Sequence, residues 1–152
     1  MRIRSRGISA ASCRTSSSDP GAIHVFLESP SLLITDDDRD FRETLRSVFE
    51  PRGFRTLLAS DGEQALHIAC REPIHLLLTD MHMPRLDGLE TIRRMRQLRS
   101  PLPCILLSAR SDDVLVEEAK RVEVFSFLTK PVSCRDITQI VTRAMRTTYG
   151  WP

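Results

Sequence analysis

The sequence predicts an α/β domain in which five strand–helix units, (βα)5, build a doubly wound parallel sheet. Short apolar runs alternate with segments whose apolar residues recur every three or four positions, the alternation that βαβ units require. Leu32-Leu33-Ile34, Leu76-Leu77-Leu78 and Cys104-Ile105-Leu106-Leu107 are continuously apolar, as in strands covered on both faces by helices. Right-handed crossovers then bring all the strand ends to one edge.

The first strand, Leu32-Leu33-Ile34, ends in Asp36-Asp37-Asp38, and Asp38 stands where a helix N-cap belongs. Phe41, Leu45, Val48 and Phe49 share one helical face, and Pro51 and Gly53 end that helix. Thr56-Leu57-Leu58-Ala59 forms a second strand. Ser60 with Glu63 is a capping-box pattern opening a helix to about Arg71. The third strand ends at Asp80, and its loop closes with Pro84 and Asp87-Gly88. Asp87 and Glu90 cap a third helix that turns Leu89, Ile92 and Met95 inward and Arg93, Arg94 and Arg96 to solvent. Ser100-Pro101 stops it. The fourth strand leads to Ser108-Ala109, and Leu115, Ala119 and Val122 mark the fourth helix. Phe125 to Thr129 make the fifth strand, ending at Lys130-Pro131. Ser133 and Asp136 cap a last helix with Ile137, Ile140, Val141, Ala144 and Met145 on one side.

A chain of 152 residues has room for one core. The expected division is an N-terminal extension (1–30), one domain (31–147) and a short C-terminal tail (148–152) with no further domain attached. Residues 1–18 carry Arg2, Arg4, Arg6 and Arg14 among serines, with no acid before Asp19. Such a stretch cannot bury enough surface to order itself, so it is expected to be disordered; its composition is also that of an organelle transit peptide or a basic arm. Residues 23–28 alternate like a strand but stop at Ser29-Pro30. A net charge of +2 is too small to imply nucleic acid or membrane binding, and no apolar stretch approaches the ~20 residues of a membrane helix. Cys13, Cys70, Cys104 and Cys134 form no CxxC pattern, which favours a reducing, cytoplasmic setting.

The chemistry gathers at the strand ends: Asp36 and Asp37 after the first strand, Asp80 after the third, Ser108 after the fourth and Lys130 after the fifth. The carboxyl edge of an open parallel sheet is where such folds place their sites. Carboxylates ~4 Å apart repel by about 4 kcal/mol at an effective dielectric near 20, so a cluster of three calls for a hard divalent cation. Mg²⁺ with oxygen ligands and retained waters fits best. Lys130 offers a point charge and Ser108 a hydroxyl donor to an oxyanion. These parts suit transfer of a phosphoryl group onto an aspartate.

These residues, with Leu33-Ile34-Thr35-Asp36-Asp37-Asp38, Leu77-Leu78-Thr79-Asp80-Met81-His82-Met83-Pro84, Leu107-Ser108-Ala109 and Phe127-Leu128-Thr129-Lys130-Pro131, resemble the receiver domain of two-component response regulators, over about residues 31–146. The resemblance implies the flavodoxin-like strand order 2-1-3-4-5, an order known for chemotaxis receivers. It implies Asp80 as phosphoacceptor, Asp36 and Asp37 as the acidic pair arranging Mg²⁺, and the His82 backbone carbonyl as a further metal ligand. It makes Ser108 the switch hydroxyl, Lys130 the phosphate-binding cation and Phe127 the switch aromatic, where many relatives have tyrosine. The Lys130–Pro131 bond is expected cis. Glu123 replaces a frequent glycine before the fifth strand, and Arg110 adds charge beside Ser108-Ala109.

The implied partner is a sensor histidine kinase or a histidine phosphotransfer protein, with an unknown downstream protein or a homodimer on the face of the fourth helix, fifth strand and fifth helix. The protein is expected to be a signalling domain rather than an enzyme, with only self-directed phosphotransfer and autodephosphorylation. One competing reading is a haloacid-dehalogenase-like Mg²⁺ phosphatase, disfavoured because Arg39 and Asp40 follow the aspartates where threonine or serine is required. Another is a receiver-like interaction module that is never phosphorylated. Capping alone explains Asp38, and His82 in an exposed loop more often tunes solvent access than takes part in catalysis.

Overall fold

The computed structural model describes residues 29–152; the expected basic extension and the strand-like pattern at 23–28 lie outside the described residues. The elements follow in the order β1 (Ser31–Thr35), α1 (Arg39–Phe49), β2 (Arg55–Ala59), α2 (Gly62–Arg71), β3 (Leu76–Asp80), α3 (Gly88–Leu98), β4 (Cys104–Ser108), α4 (Asp113–Arg121), β5 (Ser126–Thr129) and α5 (Cys134–Tyr149). All strand pairings are parallel, in the order β2-β1-β3-β4-β5. The expected doubly wound topology is therefore the observed one.

Strand periodicity divides the core into two layers. Leu33, Leu77 and Leu106 face α2, α3 and α4, where Ala65, Ala69, Ile92, Met95 and Ala119 meet them. Leu32, Ile34, Leu76, Leu78, Ile105 and Leu107 face α1 and α5, against Leu45, Phe49, Ile137, Val141 and Met145. Every residue of β1, β3 and β4 is buried, whereas the edge strand β5 is only partly so. Burying each large apolar side chain contributes about 1.5–3 kcal/mol, so the three central strands form the rigid floor of the molecule.

Most helix starts are as expected. Asp38 accepts from the Asp40 and Phe41 amides, Asp87 from Glu90, and Ser133 from Asp136. The start of α2 differs. Its N-cap is Asp61, which accepts from the Gln64 amide, while Ser60 donates both its amide and its hydroxyl to the Gln64 side-chain oxygen. The carboxylate outcompetes the adjacent hydroxyl for the exposed amide. Pro51 does not halt α1 abruptly; it sits in a 3-10 turn, Glu50–Arg52, closed by Gly53 at φ 96°.

The other departures lie far from the strand ends. Phe125 precedes β5 rather than opening it. Arg96 is not a solvated helix residue: its guanidinium donates to the carbonyls of Val122 and Glu123, tying α3 to the turn before β5. In that turn Glu123 takes the left-handed conformation at φ 59°, which explains why glycine is the easier residue there. The last helix continues through Tyr149, past the expected boundary at 147, and Trp151 packs on Phe54 with ring centroids 4.9 Å apart.

Gly88 opens α3 where the chain returns beneath β3. A Cβ there would lie 2.4 Å from the Asp80 carbonyl oxygen and 2.9 Å from the Met81 Cα, and neither backbone atom can step aside cheaply. Gly88→Ala is accordingly expected to destabilise the fold by about 1–3 kcal/mol, measured by urea unfolding; an unchanged midpoint would show that the close approach is not a constraint.

Candidate functional site

The register of the sheet builds the site. Thr35 aligns with Thr79, so Asp36 and Asp80 leave neighbouring strands at the same level. Asp80 aligns with Leu107 and Ser108 with Thr129, which sets Ser108 one step and Lys130 two steps further along the same edge. The pairing continues past the strands, with the amides of Asp36, Met81 and Lys130 donating to the carbonyls of Ala59, Leu107 and Ser108. The backbones of Asp36, Asp80, Ser108 and Lys130 are thereby tied to the sheet.

Three of the predicted residues, Asp36, Asp37 and Asp80, each place a carboxylate oxygen within 4.8 Å of the others. Asp36 and Asp80 are buried and Asp37 is exposed. The Lys130 ammonium reaches into the cluster, with Nζ 2.7 Å from Asp36 Oδ2 and 3.1 Å from Asp80 Oδ1. Asp36 also accepts from the Asp38 amide, and its carbonyl accepts from the Arg42 guanidinium at 2.7 Å. The ring of Phe41 lies beneath Lys130, with Nζ 4.4 Å from its centroid.

The electrostatics of the Asp36–Lys130 pair are uneven. Burial, the largest influence on Asp36, pushes its carboxyl above the usual range; hydrogen bonds from Lys130 and the Asp38 amide pull the other way without prevailing. Burial, the largest single influence on Lys130, pulls the ammonium down, but Asp36 and Asp80 together overcome it and hold it above its usual value. Burial thus works against the charged form of Asp36, while the two carboxylates favour the charged form of Lys130. Geometry explains the difference: the Asp36 side chain is 2% exposed, whereas that of Lys130 is 24% exposed and keeps part of its hydration. One ammonium against three carboxylates leaves the site short of positive charge.

The donor set fits a hard divalent cation. It offers only carboxylate oxygens, in a buried pair that shares one ammonium, with Asp37 on the solvent side where water can complete the coordination. Among the described residues Cys70, Cys104 and Cys134 are free thiols, and none belongs to this cluster.

The remaining predicted residues lie outside this carboxylate cluster. The Ser108 hydroxyl is buried and accepts from the Arg110 amide at 3.1 Å. It also lies 3.4 Å from His82 Nε2. His82 is exposed while its neighbour Met83 is buried, so Met83 packs inward and the exposed His82 keeps its ring beside Ser108. Phe127 is partly buried against the layer of α2, α3 and α4, and the Lys130–Pro131 bond is cis. The contact of Phe41 with Lys130 and that of Arg42 with Asp36 escape the sequence reading. Phe41 reads there simply as a helix-face residue, and no spacing rule links it to a residue at the far end of the chain.

The chain is similar to known proteins in sequence and in fold. Residues 32–142 match the response regulator receiver domain family. The chain is 32% identical over 110 residues to sporulation initiation phosphotransferase F of Bacillus subtilis, covering 72% of this chain and 89% of that protein. It is also 32% identical over 115 residues to the regulatory protein AtoC of Escherichia coli, covering 76% of this chain but only 25% of AtoC. With the transcriptional regulatory protein CpxR of Escherichia coli it shares 31% identity over 118 residues, 78% of this chain and 50% of CpxR. The chain thus spans a quarter to a half of the length of those two relatives. Among solved structures, a response regulator receiver protein from Pseudomonas putida superposes with a TM-score of 0.72 at 29% identity, covering 76% of this chain and 97% of that one. The chemotaxis protein CheY4 of Vibrio cholerae shares the fold, with a TM-score of 0.72 at 22% identity, over 76% of this chain and 98% of that one. The chain belongs to the response regulator receiver domain family of two-component systems.

Proposed function

We propose that Asp80 accepts a phosphoryl group from the phosphohistidine of a sensor histidine kinase or a histidine phosphotransfer protein, in a Mg²⁺-dependent step. The observation that supports this reading is the convergence of three carboxylates and one ammonium at the carboxyl edge of a parallel sheet. Asp36, Asp37, Asp80 and the backbone carbonyl of His82 would hold the Mg²⁺, which when bound offsets the charge that develops on the phosphoryl oxygens.

An Asp80 carboxylate oxygen attacks phosphorus while the P–N bond to the donor imidazole breaks, and the departing imidazole takes up a proton. Lys130 gives its ammonium to one phosphoryl oxygen and Ser108 its hydroxyl to another. Asp80 is 6% exposed, so the resulting acyl phosphate is sheltered from water. In this reading the chain turns over no free substrate; it is loaded and later hydrolyses its own phosphoryl group.

The readout follows from the rim. Engaging the phosphoryl group draws Ser108 away from His82 and shifts the segment between β4 and α4, and the Phe127 ring moves with it. Lacking a hydroxyl, Phe127 acts by packing alone. Such a change biases a pre-existing equilibrium rather than creating a new shape. The face of α4, β5 and α5 then receives the downstream protein or a second copy; Val114 on α4, 71% exposed, supplies apolar surface there. No helix among the described residues is long and apolar enough to cross a membrane, and a cytoplasmic setting completes the proposal.

Incubation with MgCl₂ and acetyl phosphate should add the mass of one phosphoryl group, mapped to Asp80 by mass spectrometry, and Asp80→Asn should take none. A wild-type chain that stays unlabelled while a control receiver labels would leave only the interaction-module reading. Titrating MgCl₂ should raise the melting temperature by mass action, and Asp37→Asn should weaken the apparent Mg²⁺ affinity by about tenfold or more. Lys130→Met should cost about 2–3 kcal/mol at pH 7, because it strands buried carboxylates. The Asp36 carboxyl titrates above its unfolded value, so as pH falls the folded chain takes up that proton first and the need for a counter-charge disappears. The deficit of the Met variant should therefore shrink as pH falls and grow as pH rises; a pH-independent deficit in urea unfolding would contradict this account.

A further inference from the structure

Lys130 is held by more than its carboxylates. Phe41, the third residue of α1, is half-buried and packs on the layer of α1 and α5, yet its ring also lies 4.4 Å from the Lys130 ammonium. A cation over a ring face is attracted by the negative face of the π-system, and more strongly as water is withdrawn. A leucine at the same place would supply the packing but not the attraction.

We propose that Phe41 is a positioning residue for Lys130, whose ring keeps the ammonium in the pocket when a divalent cation binds Asp36. The inference rests on the phosphoacceptor reading and adds a residue to it. In the structure Nζ is shared between Asp36 at 2.7 Å and Asp80 at 3.1 Å. A cation held by Asp36 would neutralise that carboxylate and repel the ammonium. The lysine stem is flexible and its head strongly hydrated, and the side chain is already 24% exposed, so the path to solvent is open. Asp80 would share the cation with Asp36, so the ring is the anchor that the cation does not compete for. The ring carries no formal charge for the cation to neutralise, so its hold survives metal binding and leaves the ammonium beside the Asp80 carboxylate when the phosphoryl group arrives.

The composition of the chain makes this measurable. It contains two lysines, Lys120 and Lys130; Lys120 sits exposed on α4 beside Glu117, so a lysine-labelled sample has one reporter and one internal control. Lys130→Arg assigns the spectrum. In the wild type the Lys130 Cε protons should resonate upfield of those of Lys120 through the ring current, and should stay upfield at saturating MgCl₂. The Lys130 ammonium protons should exchange with water about threefold to tenfold faster in Phe41→Leu than in the wild type in MgCl₂, and Phe41→Trp should restore slow exchange. Loading from acetyl phosphate should slow by a similar factor in Phe41→Leu and recover in Phe41→Trp.

Loss of the upfield shift on adding MgCl₂ would overturn the proposal, as would equal exchange rates in the wild type and the folded Leu variant. If Phe41→Leu fails to fold, the wild-type shift in MgCl₂ and the Trp variant still decide. A shift that persists in a wild-type chain taking no phosphoryl group would support the placement of the ammonium and overturn the phosphoacceptor reading instead.

Discussion

The ion pair of Lys130 with Asp36 and Asp80 is the constraint around which the molecule is organised. Two buried carboxylates at the ends of adjacent strands are tolerable only with a cation between them, because an isolated ionised group in the interior shifts its pKa and neutralises instead. The cation comes from β5, separated from β1 by two strands and by more than ninety residues of chain. Because every strand pairing is parallel, all five strands end at the same edge, and that delivers it there. The pair thus depends on the whole topology, and the topology confines its charge at one point.

The same logic explains which parts of the molecule are legible in its sequence. β1, β3 and β4 read as strands because they are buried on both faces, and that burial writes itself as continuous apolar runs. Asp36 and Ser108, at or just beyond a strand end, and Lys130 are legible because the carboxyl edge needs no knowledge of side-chain packing. The start of α2 is misread because Ser60 and Asp61 are both good caps one residue apart, and only geometry decides between them. Arg96 reads as surface because a guanidinium satisfied by carbonyls of another segment leaves no trace in helical spacing. Phe41 illustrates the general case: its apolar periodicity is correct, but a ring has a face as well as a volume, and the sequence reports only the volume.

The division of burial among the strands bears on how a change at the site travels. Asp36 and Asp80 are anchored to β1 and β3, whose side chains are packed on both sides and have no free space to yield. Lys130 continues β5, an edge strand with partly buried side chains, flanked by the turn at Glu123 that Arg96 tethers. When the charge at the carboxylates changes, the floor cannot respond and the rim can. Lys130 joins both parts: its ammonium meets carboxylates at the ends of β1 and β3, and its backbone continues the partly buried edge strand. In the proposed switch, a shift in its position passes along β5 and to Phe127, which packs on the layer of α2, α3 and α4. On the proposed function, the partial burial of β5 is what would suit it to carry a change away from a pocket that the fully buried central strands hold still.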